Sequence, residues 1–149
     1  MPPVLLDTSA LFAALDADDP NHRRARAFLD DTPAVYVVPE TVFSEAMTLI
    51  KLHLGVALAV ETGRAVLAGG PFRLHRLDPD DATETWSIFC RYADKEWSFT
   101  DCSVLALSRR MKLDRVFAFD HHFDQMASLG LRRVPGRRNA ESGGVFGDR

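Results

Sequence analysis

Three short apolar runs constrain this chain more than anything else in it: Val4–Leu6 (VLL), Ala34–Val38 (AVYVV) and Val116–Phe119 (VFAF). Runs of this length without polar alternation suit strands covered on both faces, as in a parallel sheet. Phe72–Leu77 (FRLHRL) and Leu131–Val134 (LRRV) read as two further strands. Between them, helical spacing runs over Ser9–Leu15, Asn21–Leu29, Thr41–Leu54, Ala57–Leu67, Asp80–Ala93 and Thr100–Met111, with a shorter pattern at His121–Ala127. Strands alternating with helices predict an α/β fold with right-handed crossovers. Asp19-Pro20, Gly55, Gly69–Phe72 and Asp78-Pro79 supply the breaks, and none is long enough to be a domain linker.

With 149 residues, the expectation is one domain over residues 1–135, followed by a polar, glycine-rich tail over 136–149 held loosely. No apolar stretch approaches the ~20 residues of a membrane-spanning helix, and Asp7 interrupts the first apolar run, which argues against a signal peptide. Cytoplasm is the expected compartment. Cys90 and Cys102 form no CxxC pair and no zinc-ligand pattern, so both read as small buried residues. The net charge is −3, yet 15 of the 18 basic residues are arginines, with clusters at Arg23, Arg24 and Arg26, at Arg109, Arg110 and Lys112, and at Arg132, Arg133, Arg137 and Arg138. Such groups suit phosphate, or else form solvated helix faces and a basic tail.

The acids are placed less ordinarily. Asp7 and Asp120 each stand just past the carboxyl end of a predicted strand, where open α/β sheets hold ligands, and each also suits a helix N-cap. Glu45 shares a helical stripe with Val42, Leu49 and Leu52. An unpaired carboxylate there must sit at the stripe's edge, pair with a cation or bind a metal. Asp101 opens a helix as the last residue of Ser98-x-x-Asp101, a capping-box pattern. Together, four acids converging on one crevice would repel one another unless cations neutralised them. Hard oxygen ligands without cysteine favour Mg²⁺ or Mn²⁺, the ions of metal-assisted phosphodiester hydrolysis.

In DTSAL around Asp7, in Glu45 on its helix, in SFTDCS around Asp101 and in FDHHF around Asp120, the chain resembles PIN-domain ribonucleases, above all the VapC toxin group. The likeness runs from Met1 to about Pro135. It implies a three-layer α/β/α sandwich with a mainly parallel sheet, a Mg²⁺ or Mn²⁺ site and cleavage of RNA. It also implies a homodimer and a cognate antitoxin whose tail enters the acidic groove. Asp7, Glu45, Asp101 and Asp120 correspond to the family's catalytic, metal-binding acids, and Asp124 is the candidate for a further metal ligand. Thr8, Ser9 and Thr100 neighbour the acids as possible supporting hydroxyls, or simply cap and turn. His121 and His122 lack the spacing of a zinc pair and read as solvated or partly packed, while Trp86 and Trp97 read as core or interface residues.

Two other readings stay open. One is a phosphoryl-transfer enzyme on a doubly wound sheet, although residue 9 is Ser where a dehalogenase-like phosphatase would carry a second Asp. The other is a binding module without catalysis, its acids serving only as caps.

Overall fold

The computed structural model describes residues 2–136. The tail expected from residue 136 therefore lies, apart from Gly136, outside the described residues, as do Arg137 and Arg138. Five strands form one sheet: β1 (Val4–Leu6), β2 (Tyr36–Pro39), β3 (Phe72–His75), β4 (Arg115–Phe117) and β5 (Arg132–Val134). Their order is β3-β2-β1-β4-β5 and all four pairings are parallel, with Leu5 opposite both Val37 and Val116. The links are α1 (Thr8–Leu15), α2 (His22–Asp31), α3 (Glu40–Leu54), α4 (Val56–Ala68), α5 (Pro79–Arg91) and α6 (Phe99–Met111), with a 3-10 helix over His121–Leu129.

This order has a direct consequence for the site. The chain steps outward from β1 to β2 and β3, then returns across the sheet to β4 on the other side of β1. Right-handed crossovers put the outward links on one face and the returning links on the other, which completes an α/β/α sandwich. Between the carboxyl ends of β1 and β4 the two directions part and leave a crevice, the switch point where such sheets bind ligands. Asp7 follows β1 directly, and its backbone N–H donates to the Phe117 carbonyl at 3.0 Å, so both strand ends are tied together there.

Packing follows the apolar runs. Val4, Leu5 and Leu6 are wholly buried, as are Val38, Val116 and Phe117, each contributing about 1.5–3 kcal/mol of apolar transfer. On the returning face, α6 is buried continuously from Asp101 to Ser108. A hydrogen bond of 2.6 Å between the Thr41 and Ser103 hydroxyls joins the start of α3 to the start of α6. That link brings the helix carrying Glu45 beside the helix carrying Asp101.

Several expectations change at this level. The buried stripe of α3 is Val42, Ala46 and Ile50, so Leu52 is exposed and Glu45 stands outside the core. Cys90 is exposed while Cys102 is buried. Trp97 is buried and donates to Gln125 Oε1 at 2.7 Å, whereas Trp86 lies exposed and stacked on Phe89. Among the described residues, no helix is long and apolar enough to cross a membrane.

Candidate active site

A cavity of about 650 Å³ opens at the switch point, lined by Asp7, Thr8, Ser9, Glu45, Asp101 and Asp120 together with Asp19, Asn21, His121 and His122. Phe12, Leu49 and Phe119 supply apolar wall. The four principal acids expected from the sequence thus share one cavity, although they come from four different elements.

Three of the four acids are held by the start of a helix. Asp7 is the N-cap of α1, its Oδ2 accepting from the Ser9 backbone N–H at 3.1 Å and from the Ser9 hydroxyl at 2.5 Å. Ser9 Oγ in turn accepts from the Phe119 N–H at 3.0 Å, so one hydroxyl ties Asp7 to the segment that leads into Asp120. Asp101 completes the capping box of α6, with Oδ2 accepting from the Ser98 N–H at 3.0 Å and from the His122 ring at 2.9 Å. Asp120 caps the 3-10 helix through Oδ1, which accepts from the His122 N–H at 2.9 Å. The cap readings are therefore correct as local structure, and each of these acids also faces the cavity.

A common pattern emerges. In all three aspartates one oxygen takes the local hydrogen bonds, while Asp7 Oδ1, Asp101 Oδ1 and Asp120 Oδ2 have no hydrogen-bond partner among the described residues. Nor does any lysine or arginine of the described residues pair with Asp7, Glu45, Asp101 or Asp120; the ion pairs there involve only His121 and His122. Thr8 Oγ1 is buried in the same wall without a partner. Three unbonded carboxylate oxygens, uncompensated charge and an orphaned hydroxyl form a donor set suited to a hard divalent cation.

The electrostatics agree. Burial pushes the Asp7 carboxyl from 3.8 to about 7, with Asp101 and Asp120 adding repulsion against the opposing Ser9 hydrogen bonds. Asp101 is also raised, chiefly by burial and further by Asp120, against the lowering effect of Ser98 and His122. A cation would reverse both shifts by favouring the charged forms.

Not every expected residue is brought in. Asp124 turns away: Arg133 Nε and Nη2 reach its two oxygens at 2.9 and 3.3 Å, and it is absent from the cavity lining. Thr100 lines an adjoining hollow of about 570 Å³ with Glu40, Thr41, Ser44, Thr48 and the shared Glu45 and Leu49. The arginine pair Arg109 and Arg110 is engaged with acids of α5 and its cap, Glu84 for the first and Asp78, Asp80 and Asp81 for the second. Conversely, His122 is a cavity residue that the spacing argument passes over. Asp120, His121 and His122 hold potential ligand atoms within 4.8 Å of one another. The sequence signal is only the adjacency of His122 to Asp120, which acquires meaning once the 3-10 turn folds the ring back toward α6.

The PIN domain model matches residues 4–129, and the chain belongs to the PIN-domain family. It is 26% identical over 129 residues to the 23S rRNA-specific endonuclease VapC20 of Mycobacterium tuberculosis, an alignment covering 87% of this chain and 98% of the relative. It is 27% identical over 128 residues to ribonuclease VapC26 of the same organism, covering 85% and 94%. The crystal structure of VapC20, described as a sarcin-ricin loop cleaving toxin, superposes with a TM-score of 0.77 at 24% identity, covering 87% and 96%. A toxin-antitoxin complex from Klebsiella pneumoniae superposes with a TM-score of 0.59 at 17% identity, covering 79% and 87%. The α/β/α sandwich and the family expected from the sequence are borne out, and the enzyme class, a nuclease, agrees with the names of these relatives.

Proposed function

We propose that this chain is a divalent-metal-dependent endoribonuclease, acting in the cytoplasm as the toxin of a toxin-antitoxin pair. The observation that carries this reading is the set of three unbonded aspartate oxygens, uncompensated by any arginine or lysine of the described residues, at the switch point of a PIN fold. Asp7, Asp101 and Asp120, with Glu45, are the residues that would hold Mg²⁺ or Mn²⁺. When bound, such an ion makes a water nucleophilic at neutral pH and steadies the leaving oxygen of the phosphodiester.

The chain's own residues do the positioning. Ser9 fixes the Asp7 carboxylate against the β4 end, the capping box fixes Asp101, and Thr8 adds a buried, unpartnered hydroxyl to the same wall. Asp124, held through both oxygens by Arg133, stands outside this ligand set.

RNA is the proposed substrate because the relatives are named as an rRNA-specific endonuclease and a ribonuclease. An antitoxin is the proposed partner, as a neighbouring structure is a toxin-antitoxin complex, and a groove lined by acids suits a basic side chain from such an inhibitor. A homodimer is proposed from the family likeness, with the exposed Trp86, Phe89 and Phe99 as the apolar face to bury. In the assay that tests the reaction, purified protein is mixed with ribosomal RNA and with unstructured RNA. Cleavage is expected with Mg²⁺ or Mn²⁺ and none in excess EDTA; undiminished cleavage in EDTA would contradict the reading.

A further inference from the structure

His122 is the side chain of the cavity that the four acids do not explain. It touches two of them at once: its backbone N–H donates to Asp120 Oδ1 at 2.9 Å, and its ring Nδ1 lies 2.9 Å from Asp101 Oδ2. The ring also approaches Asp120 Oδ1 at 3.4 Å and keeps only 17% of its side-chain exposure, so it is packed rather than solvated. His121 beside it is 76% exposed and stands 3.6 Å from Asp120 Oδ1, beyond hydrogen-bond distance.

The contact decides how Asp101 is presented. A carboxylate oxygen has roughly two lone-pair sites, and Asp101 Oδ2 fills both, one with the Ser98 N–H and one with the His122 ring. Without the ring, that oxygen keeps one bond, and the carboxylate can rotate about a broad terminal torsion. With Asp101 ionised, as a metal ligand must be, the 2.9 Å contact puts the proton on Nδ1, because a carboxylate only accepts. A bound cation would repel a proton on a ligating nitrogen, so a ring that donates through Nδ1 cannot ligate through it.

We propose that His122 is a positioning residue for the metal: its Nδ1–H locks the Asp101 carboxylate by Oδ2 and leaves Oδ1 as the oxygen offered to the cation. The inference rests on the metal-dependent reading above and goes beyond the acid set by assigning the neighbouring histidine a donor's role. It contrasts with the alternative that Asp120, His121 and His122 together ligate a metal through imidazole nitrogen.

Asparagine separates the two roles, because its amide N–H falls where histidine Nδ1 lies, yet it offers no imidazole. Mn²⁺ binding to the purified protein would be measured by calorimetry for the parent, His122→Ala, His122→Asn and His122→Gln, with RNA kinetics alongside. Ala is expected to weaken Mn²⁺ binding by ~10–100-fold and to lower kcat at limiting Mn²⁺ with KM for RNA little changed. Asn is expected to restore most of the parent's affinity, and Gln, whose amide lies one carbon further out, to resemble Ala. Should the Ala variant fail to fold, the Asn and Gln pair carries the comparison. A parent that binds Mn²⁺ no better than His122→Ala, or an Asn variant as weak as Gln, would overturn the proposal. A parent that takes up no Mn²⁺ at all would overturn the metal-dependent reading itself, and this inference with it.

Discussion

Helices α5 and α6 begin in the same way and end up with opposite chemistry. Each opens with a complete capping box, Asp78 to Asp81 in α5 and Ser98 to Asp101 in α6, and each places a buried aspartate at the third helical position. Asp81 has both oxygens engaged: Oδ1 accepts from Arg110 Nε at 2.6 Å, and Oδ2 accepts from the Asp78 N–H at 3.0 Å and meets His75 Nε2 at 3.0 Å. Asp101 has one oxygen engaged and one unbonded, and its ionisable partner among the described residues is a histidine. Burial raises Asp81, but His75, the Asp78 N–H and Arg110 more than offset it and hold its carboxyl below 3.8. At Asp101 burial prevails and the carboxyl is raised. A capping box therefore explains why an acid stands where it does, while the cation that meets it, or the lack of one, decides what the acid is for.

The largest expected effect separates the two acids by activity. Asp101→Asn removes a ligand charge and should lower RNA cleavage by about 100-fold or more, the scale for deleting a group that stabilises the reaction's charge. Asp81→Asn should leave cleavage near the parent's, and should instead lower the melting temperature by weakening the tie between α5 and Arg110 of α6. Comparable losses of cleavage in both variants would break the contrast.

The second expected effect is one of pH. A carboxyl raised by folding favours the protonated form, so the metal-free protein loses stability through Asp7 as pH rises from about 4 to about 7. A carboxyl lowered by folding, Asp81, acts oppositely: its stabilisation is present above 3.8 and is lost as the pH falls through its lower folded value. Asp7→Asn removes the first dependence and keeps a capping side chain. The variant should therefore gain on the parent across pH 4 to 7, by up to about 4 kcal/mol for a shift of this size. Thermal melts of both proteins without metal, over that range, give the difference; parallel curves would show that Asp7 carries no buried charge.

Much of this arrangement is legible in the amino-acid sequence alone. The runs Val4–Leu6, Ala34–Val38 and Val116–Phe119 declare β1, β2 and β4, although β2 and β4 span Tyr36–Pro39 and Arg115–Phe117, because a strand covered on both faces has no room for polar alternation. Asp7 directly follows β1 and Asp120 comes three residues after β4, so both are legible at the carboxyl edge of the sheet. Glu45 is harder. Its helix carries apolar residues around more than one face, and the stripe through Val42 and Leu49 competes with the buried one through Val42, Ala46 and Ile50. Only packing against α4 and the sheet selects between them. Asp101 and Asp124 are ambiguous for a different reason: what distinguishes them is a partner distant in sequence or turned inward by tertiary structure. Arg133 engages Asp124, Arg110 engages Asp81 across 29 residues, and no arginine or lysine of the described residues reaches Asp101 in the same way. His122 shares that limit, since the 21 residues separating it from Asp101 are closed only by the fold.

If the acids left without a cation are the ones that hold a metal, the twin caps of α5 and α6 must differ in their response to Mn²⁺. Mn²⁺ would be titrated calorimetrically into metal-free parent, Asp101→Asn and Asp81→Asn at neutral pH. The parent and Asp81→Asn are expected to bind Mn²⁺ alike, while Asp101→Asn binds it far more weakly or not at all. If Asp101→Asn bound Mn²⁺ as tightly as the parent, Asp101 would be a helix cap like Asp81 and no ligand of the metal.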